Sequence, residues 1–157
     1  MNREEFNPDT AREITAGFGN KPEMLVQILH AFMDRFAFIS EDAHRLLAEE
    51  LNISRADVHG VVSYYHDFRT SPAAKHVVKI CEAEACQAMG SRALAAHAKA
   101  SLGLAMHESN DNVTLEPVYC LGNCACSPAI MVDGKTIGRV STERFDAIVA
   151  ALGGDAA

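Results

Sequence analysis

His76-Val77-Val78-Lys79-Ile80-Cys81-Glu82-Ala83-Glu84-Ala85-Cys86 is the stretch that decides how the chain folds. Its first five residues are rich in β-branched side chains and predict a strand. Two cysteines separated by four residues follow it. Upstream, Thr70-Ser71-Pro72 ends a helical pattern, because proline disfavours helix in the residue before it. Downstream, Ser91 to Leu102 reads as a helix that turns Leu94, Ala95, Ala98 and Leu102 inward and stops at Gly103. Val113-Thr114-Leu115-Glu116-Pro117-Val118-Tyr119 reads as a second strand, with Pro117 marking an edge or a bulge. Ala129 to Val132 and Thr136 to Val140 flank Asp133-Gly134, a strong hairpin signal. A last helix is expected from Ser141 or Thr142, presenting Phe145, Ile148, Val149 and Leu152 before Gly153-Gly154. Strand, helix, strand, hairpin, helix is the order of an α/β domain, expected over residues 73–157.

Residues 1–72 carry a different period. Asn20 with Glu23 has the pattern of a capping box, after which Met24, Leu25, Ile28, Leu29, Phe32 and Phe36 line one helical face. Ser40, followed by Glu41 and Asp42, is expected to open a second helix with Ala43, Leu46, Leu47 and Leu51 inward. Ser54 with Asp57 opens a third, running through Val58, Val61, Val62 and Tyr65. These segments predict an N-terminal helical bundle.

The net charge of −7 argues against nucleic acid, because a phosphate backbone is bound by clustered Lys and Arg that release counterions. Met1-Asn2-Arg3-Glu4-Glu5-Phe6-Asn7 lacks the apolar segment of a secretory signal, and no apolar run approaches the roughly 20 residues that span a bilayer. A cytoplasmic location without membrane insertion is therefore expected. Thiols stay reduced there, so five cysteines point to metal binding or redox work rather than to structural bridges.

Cys81 and Cys86 follow the first strand, and Cys120 and Cys124 follow the second. If a helical crossover makes those strands parallel, both loops emerge at one end of the sheet and the two pairs converge. Four thiolates on flexible loops suit two irons bridged by sulfides, and Gly122 and Gly90 allow the tight turns such loops need. Structural zinc also takes four cysteines, and buried or disulfide-forming thiols are a third reading. Spacing alone leaves these open.

At these residues the sequence resembles the thioredoxin-like [2Fe–2S] proteins related to the 24-kDa subunit of NADH dehydrogenase. The resemblance covers nearly the whole chain. It is carried by Val58-His59-Gly60-Val61-Val62-Ser63-Tyr64-Tyr65, by Cys81-x4-Cys86, and by Cys120-Leu121-Gly122-Asn123-Cys124 with Pro128 after it. It implies a thioredoxin-like [2Fe–2S] ferredoxin domain with one cluster, Cys81 and Cys86 on one iron and Cys120 and Cys124 on the other. Cys81-Glu82-Ala83-Glu84-Ala85-Cys86-Gln87, Val113 to Cys120, and Cys124-Ala125-Cys126 narrow the resemblance to gamma subunits of soluble, molybdenum-containing, NAD-dependent formate dehydrogenases. That implies an alpha subunit with a molybdenum cofactor that oxidises formate and a beta subunit with FMN that reduces NAD. This chain would be a one-electron store beside the flavin. The equivalent subunit of an NADH:quinone oxidoreductase or of an NAD-reducing hydrogenase is the neighbouring reading, and a zinc-stabilised interaction module belongs to a different class.

Cys126 departs from the four-ligand pattern and reads as a small thiol near the cluster. None of the seven histidines forms a metalloprotease-type motif, and His30 and His44 are expected to face solvent. No Walker sequence or G-x-G-x-x-G follows a strand, and no C-x-x-C is present, so neither nucleotide binding nor thioredoxin-type thiol chemistry is expected of this chain. No catalytic residue is expected. Glu82 and Glu84 place negative charge near the cysteines and predict a low reduction potential. The helical half, which supplies no ligand, is the expected contact with the flavin subunit.

Overall fold

Asn7-Pro8 starts the first helix, and nothing in the apolar pattern announces it. In the computed structural model, which describes residues 5–153, the Asn7 side-chain oxygen accepts the N–H groups of Asp9 (2.9 Å) and Thr10 (3.1 Å). Pro8 occupies the first helical position, where its missing N–H costs nothing. Helix α1 (Pro8–Gly17) fully buries only Ala11 and Thr15, with Ile14 and the following Phe18 partly buried against the same core. The buried Thr15 hydroxyl is satisfied by the Ala11 carbonyl at 2.8 Å.

The chain divides into two units, Met1–Pro72 and Ala73–Ala157. In the first, α1 is followed by α2 (Leu25–Phe36), α3 (Glu41–Leu51) and α4 (Arg55–Tyr64). The expected stripe of α2 is buried at Leu25, Ile28, Leu29, Phe32 and Phe36. Its expected capping box is absent: Asn20 lies in the left-handed region with φ 52°. The helix is entered instead through a 3-10 turn, Pro22–Met24, with no side-chain cap. Ser40 caps α3 by accepting the Ala43 N–H at 3.1 Å. Ser54 and Asp57 form the reciprocal capping box of α4.

His44 corrects the reading of the histidines. It is 4% exposed. Its Nδ1–H donates to the Ser40 carbonyl at 2.9 Å. The reason is that α3 packs on both α1 and α4, so the buried face extends beyond the Leu47–Leu51 stripe. His30 is exposed, and its ring meets Phe68 edge-on at 4.9 Å.

The second unit holds a five-stranded sheet of order β2-β3-β1-β4-β5, with β1 His76–Cys81, β2 Glu108–Ser109, β3 Val113–Val118, β4 Ile130–Val132 and β5 Lys135–Ile137. The helices are α5 (Glu84–Ala88), α6 (Ser91–Leu102) and α7 (Thr142–Gly153). Gly154, expected to close α7, lies outside the described residues. β1 and β3 run parallel, with His76 opposite Val113 and Cys81 opposite Val118. The other pairings are antiparallel.

Alternation sorts β1 into two faces. Val78 and Ile80 enter a core with Leu94, Ala98, Leu115, Ile130 and Phe145. On the other face Lys79 pairs with Glu116 directly across the strands at 3.4 Å. Pro117 is tolerated because β2 pairs only with Thr114 and Leu115, so the missing N–H falls beyond the end of β2. Asp133 (φ 47°) and Gly134 (φ 83°) both take left-handed angles, as a two-residue hairpin turn of type I′ requires. The Asp133 carboxylate ties this turn to β1, accepting the Val77 N–H at 2.9 Å and meeting His76 Nδ1 at 2.7 Å. Among the described residues no helix is long and apolar enough to cross a membrane.

Candidate functional site

Because β1 and β3 are parallel, the chain leaves both strands at the same end of the sheet. Cys81 is the last residue of β1, 2% exposed, and its N–H donates to the Ala129 carbonyl at 3.1 Å. The chain then enters α5, a helix too short to show a period in the sequence. It returns Cys86, also 2% exposed, toward Cys81. Gln87 Nε2 donates to the Glu82 carbonyl at 2.6 Å, which closes this loop on itself. The fully buried Ser91 hydroxyl donates to the Cys81 carbonyl. Gly90, at φ 96°, makes the turn from α5 into α6.

The second loop is built differently. Cys120 and Cys124 are exposed, on a segment without regular structure that ends in a 3-10 turn, Cys124–Cys126. Cys120 has φ 100°, a region that side chains rarely adopt, so backbone strain sits on one of the expected ligands. Gly122, at φ 70°, lets its N–H turn back toward the Cys120 sulfur at 3.4 Å. Behind the turn, the Cys126 carbonyl accepts the Arg139 N–H at 2.6 Å. Gly138 passes so close that an added Cβ would lie 2.6 Å from Cys126 Cβ and 2.7 Å from Cys126 O. Sequence reasoning misses Gly138, and no local signal marks it, because the need for glycine arises from a partner elsewhere in the chain.

The loops converge. Cys120 Sγ and Cys124 Sγ are 3.7 Å apart. Two thiolates about 2.3 Å from one tetrahedral ion would be about 3.8 Å apart, so this pair has the bite of a single metal ion. Burial pushes the Cys81 thiol up, but the N–H of Ala83, the Cys86 thiol and the N–H groups of Cys120 and Leu121 outweigh it and hold it below the ordinary thiol value. The Cys124 thiol is pushed up, first by its hydrogen bond to Cys120 and that neighbour's charge, then by burial and by the charges of Cys86 and Cys81. Ser127 Oγ stands 3.4 Å from Cys86 Sγ and donates to the Cys124 carbonyl at 2.8 Å, joining one loop to the other.

All five cysteines are free thiols. Cys126 is half-buried beside the second loop. Among the described residues no three His, Cys, Asp or Glu side chains are arranged around a single ion. Two convergent thiol pairs with inward N–H groups fit a group that accepts hydrogen bonds and takes two ligands at each of two metals. Glu82 is half-buried and Glu84 is exposed in the first turn of α5, both within the segment between Cys81 and Cys86.

The chain is similar to several known proteins. The family model described as thioredoxin-like [2Fe–2S] ferredoxin matches residues 11–153. An NADH-quinone oxidoreductase subunit of Pseudomonas aeruginosa is 28% identical over 117 residues, 73% of this chain and 70% of that one. The like-named subunit from Mycobacterium tuberculosis is 26% identical over 147 residues, 92% of this chain but only 58% of the relative. NADP-reducing hydrogenase subunit HndA of Solidesulfovibrio fructosivorans is 27% identical over 128 residues, 80% of this chain and 75% of that one. In fold, the chain is similar to an air-oxidised NAD+-reducing [NiFe]-hydrogenase, with TM-score 0.69 and 19% identity, covering 85% of this chain and 23% of the hydrogenase chain. With the family model matched over residues 11–153, this chain belongs to the thioredoxin-like [2Fe–2S] ferredoxin family, whose cofactor is a [2Fe–2S] cluster.

Proposed function

We propose that the chain is an electron-transfer subunit of an NAD-linked oxidoreductase, with one [2Fe–2S] cluster held by Cys81 and Cys86 on one iron and by Cys120 and Cys124 on the other. The observation that carries this reading is the convergence of the two loops, with Ser127 Oγ 3.4 Å from Cys86 Sγ and 2.8 Å from the Cys124 carbonyl, and Cys120 Sγ 3.7 Å from Cys124 Sγ. The cluster supplies one-electron storage and delivery. The chain's residues do the rest: the N–H groups of Ala83, Cys120 and Leu121 stabilise anionic sulfur at Cys81, and the buried first pair keeps water from one side. The exposed Cys120 and Cys124 leave the other side open to a partner. No residue of this chain is assigned bond-making chemistry.

The finer reading is the gamma subunit of a cytoplasmic, molybdenum-containing, NAD-dependent formate dehydrogenase, beside a beta subunit that binds FMN and NAD. Its support is the sequence of both cysteine loops and the β3 segment Val113–Val118. Similarity to proteins named as subunits of NADH-quinone oxidoreductase and of NADP-reducing hydrogenase favours a second reading, the equivalent subunit of an NADH:quinone oxidoreductase or of an NAD-reducing hydrogenase. The unit Met1–Pro72 is the proposed contact with the flavin subunit in each case.

Anaerobic purification with iron and sulfide analysis tests the site. Two irons and two sulfides per chain, visible absorption and one spin-½ signal on reduction are expected, whereas a colourless zinc protein would end the proposal. Purifying the tagged chain with its partners separates the finer readings: molybdenum in the complex supports the formate dehydrogenase, nickel or membrane subunits the second reading.

A further inference from the structure

Ser127 is 9% exposed, and its hydroxyl touches both cysteine loops. It lies 3.4 Å from Cys86 Sγ and 2.8 Å from the Cys124 carbonyl. Its own N–H turns to the same carbonyl at 3.3 Å, so the backbone already closes the 3-10 turn without the side chain. A hydroxyl has one proton to give and lone pairs to receive. While Cys86 is a thiol, it can donate to Ser127 as Ser127 donates to Cys124. A Cys86 thiolate bound to iron has no proton, and at that contact the serine can only be the donor.

We propose that Ser127 is a positioning residue that tunes the cluster, its hydroxyl proton shared between the Cys124 carbonyl and the Cys86 thiolate. This rests on the four-cysteine reading above. Hydrogen bonds to an anionic acceptor are shorter and stronger than neutral ones. Sulfur carries more negative charge after an electron is added, so the Ser127 O–H···S bond stabilises the reduced form more than the oxidised one. Burial keeps water from replacing it. Ser127 therefore raises the reduction potential.

The test is a redox titration of the full chain, purified anaerobically, alongside Ser127→Ala and Ser127→Thr. The alanine variant is expected to keep two irons per chain and titrate at a more negative midpoint, and the threonine variant, which keeps the hydroxyl, to return toward the wild-type midpoint. An alanine variant with an intact cluster and an unchanged midpoint overturns the proposal. If the alanine variant holds less iron, the threonine variant decides: full iron and a wild-type midpoint support the hydroxyl, and iron loss there too assigns Ser127 to loop shape and overturns it. Failure of the underlying site reading looks different, since the wild-type chain would then lack the [2Fe–2S] signature or Cys86→Ala would retain it.

Discussion

The two cysteine loops perform one task with opposite means of support. Cys81 and Cys86 are buried to 2% exposure and belong to a strand and a helix. Cys120 and Cys124 are exposed, and their loop is held by an unfavourable φ at Cys120, a left-handed Gly122 and the close passage of Gly138. The first pair is placed by secondary structure that would form in any case. The second is placed by contacts that serve little else. A rigid inner clip and a strained outer clip together leave one side of the site accessible without loosening the other.

The largest effect that would sharpen this contrast comes from removing each pair. Cys81→Ala with Cys86→Ala, and Cys120→Ala with Cys124→Ala, are both expected to abolish stoichiometric iron binding. Their effect on the iron-free fold should differ. The buried pair costs about 1–2 kcal/mol through lost packing, and the exposed pair less than about 0.5 kcal/mol. Urea denaturation of the iron-free variants measures this, and equal losses would break the comparison.

Gly138→Ala comes next. The new Cβ meets a backbone oxygen and a Cβ that no rotamer change can move, and overpacking of this kind costs about 1–3 kcal/mol. Iron content should fall because the strain is released into the Cys124–Cys126 turn. A variant with full iron and unchanged stability would show that Gly138 does not support the outer loop.

Cys120→Gly is expected to do two opposite things. It removes a proposed ligand, so iron is lost, and it relieves the backbone at φ 100°, so the iron-free fold gains about 1 kcal/mol over Cys120→Ala. A lower denaturation midpoint for the glycine variant would refute stored strain at this position.

Asp133 gives the smallest effect and the one that depends on pH. Burial raises its carboxyl, but the His76 hydrogen bond and the Val77 N–H outweigh that and hold it below the usual value of 3.8. A lowered folded value means that its stabilisation is complete above the ordinary carboxylate value and disappears as pH falls through the folded one. The side chain is 41% exposed, so solvent screening limits the contribution to less than about 1 kcal/mol. Asp133→Asn should flatten the acid side of the stability profile and leave iron content unchanged. Iron loss would mean that the hairpin turn supports the cysteine loops after all.

Several elements are legible in the sequence because their signals are local. Ser40, Ser54 with Asp57, Gly103 and Asp133-Gly134 each act on backbone within a few residues, and each does what its chemistry predicts. Helix α1 escapes the apolar pattern because its apolar face is short, with Ala11 and Ile14 beside the polar Thr15, although Asn7-Pro8 marks its start. The Asn20 cap misleads because Pro22 fixes the helix entry one turn later. His44 is buried against expectation because a face that packs against two neighbours cannot be inferred from one helix.

The sequence by itself determined the class of the longer segments and the cysteine spacing, because propensity and capping are properties of residues and their near neighbours, and the cluster followed from the chain's resemblance to a family. Only the tertiary structure decided which sulfurs are buried, that Gly138 must lack a side chain, and that Ser127 bridges the two loops. Those facts depend on atoms brought together from separate parts of the chain, the Ser127–Cys86 contact across the two loops that follow β1 and β3, and no local pattern encodes such a meeting.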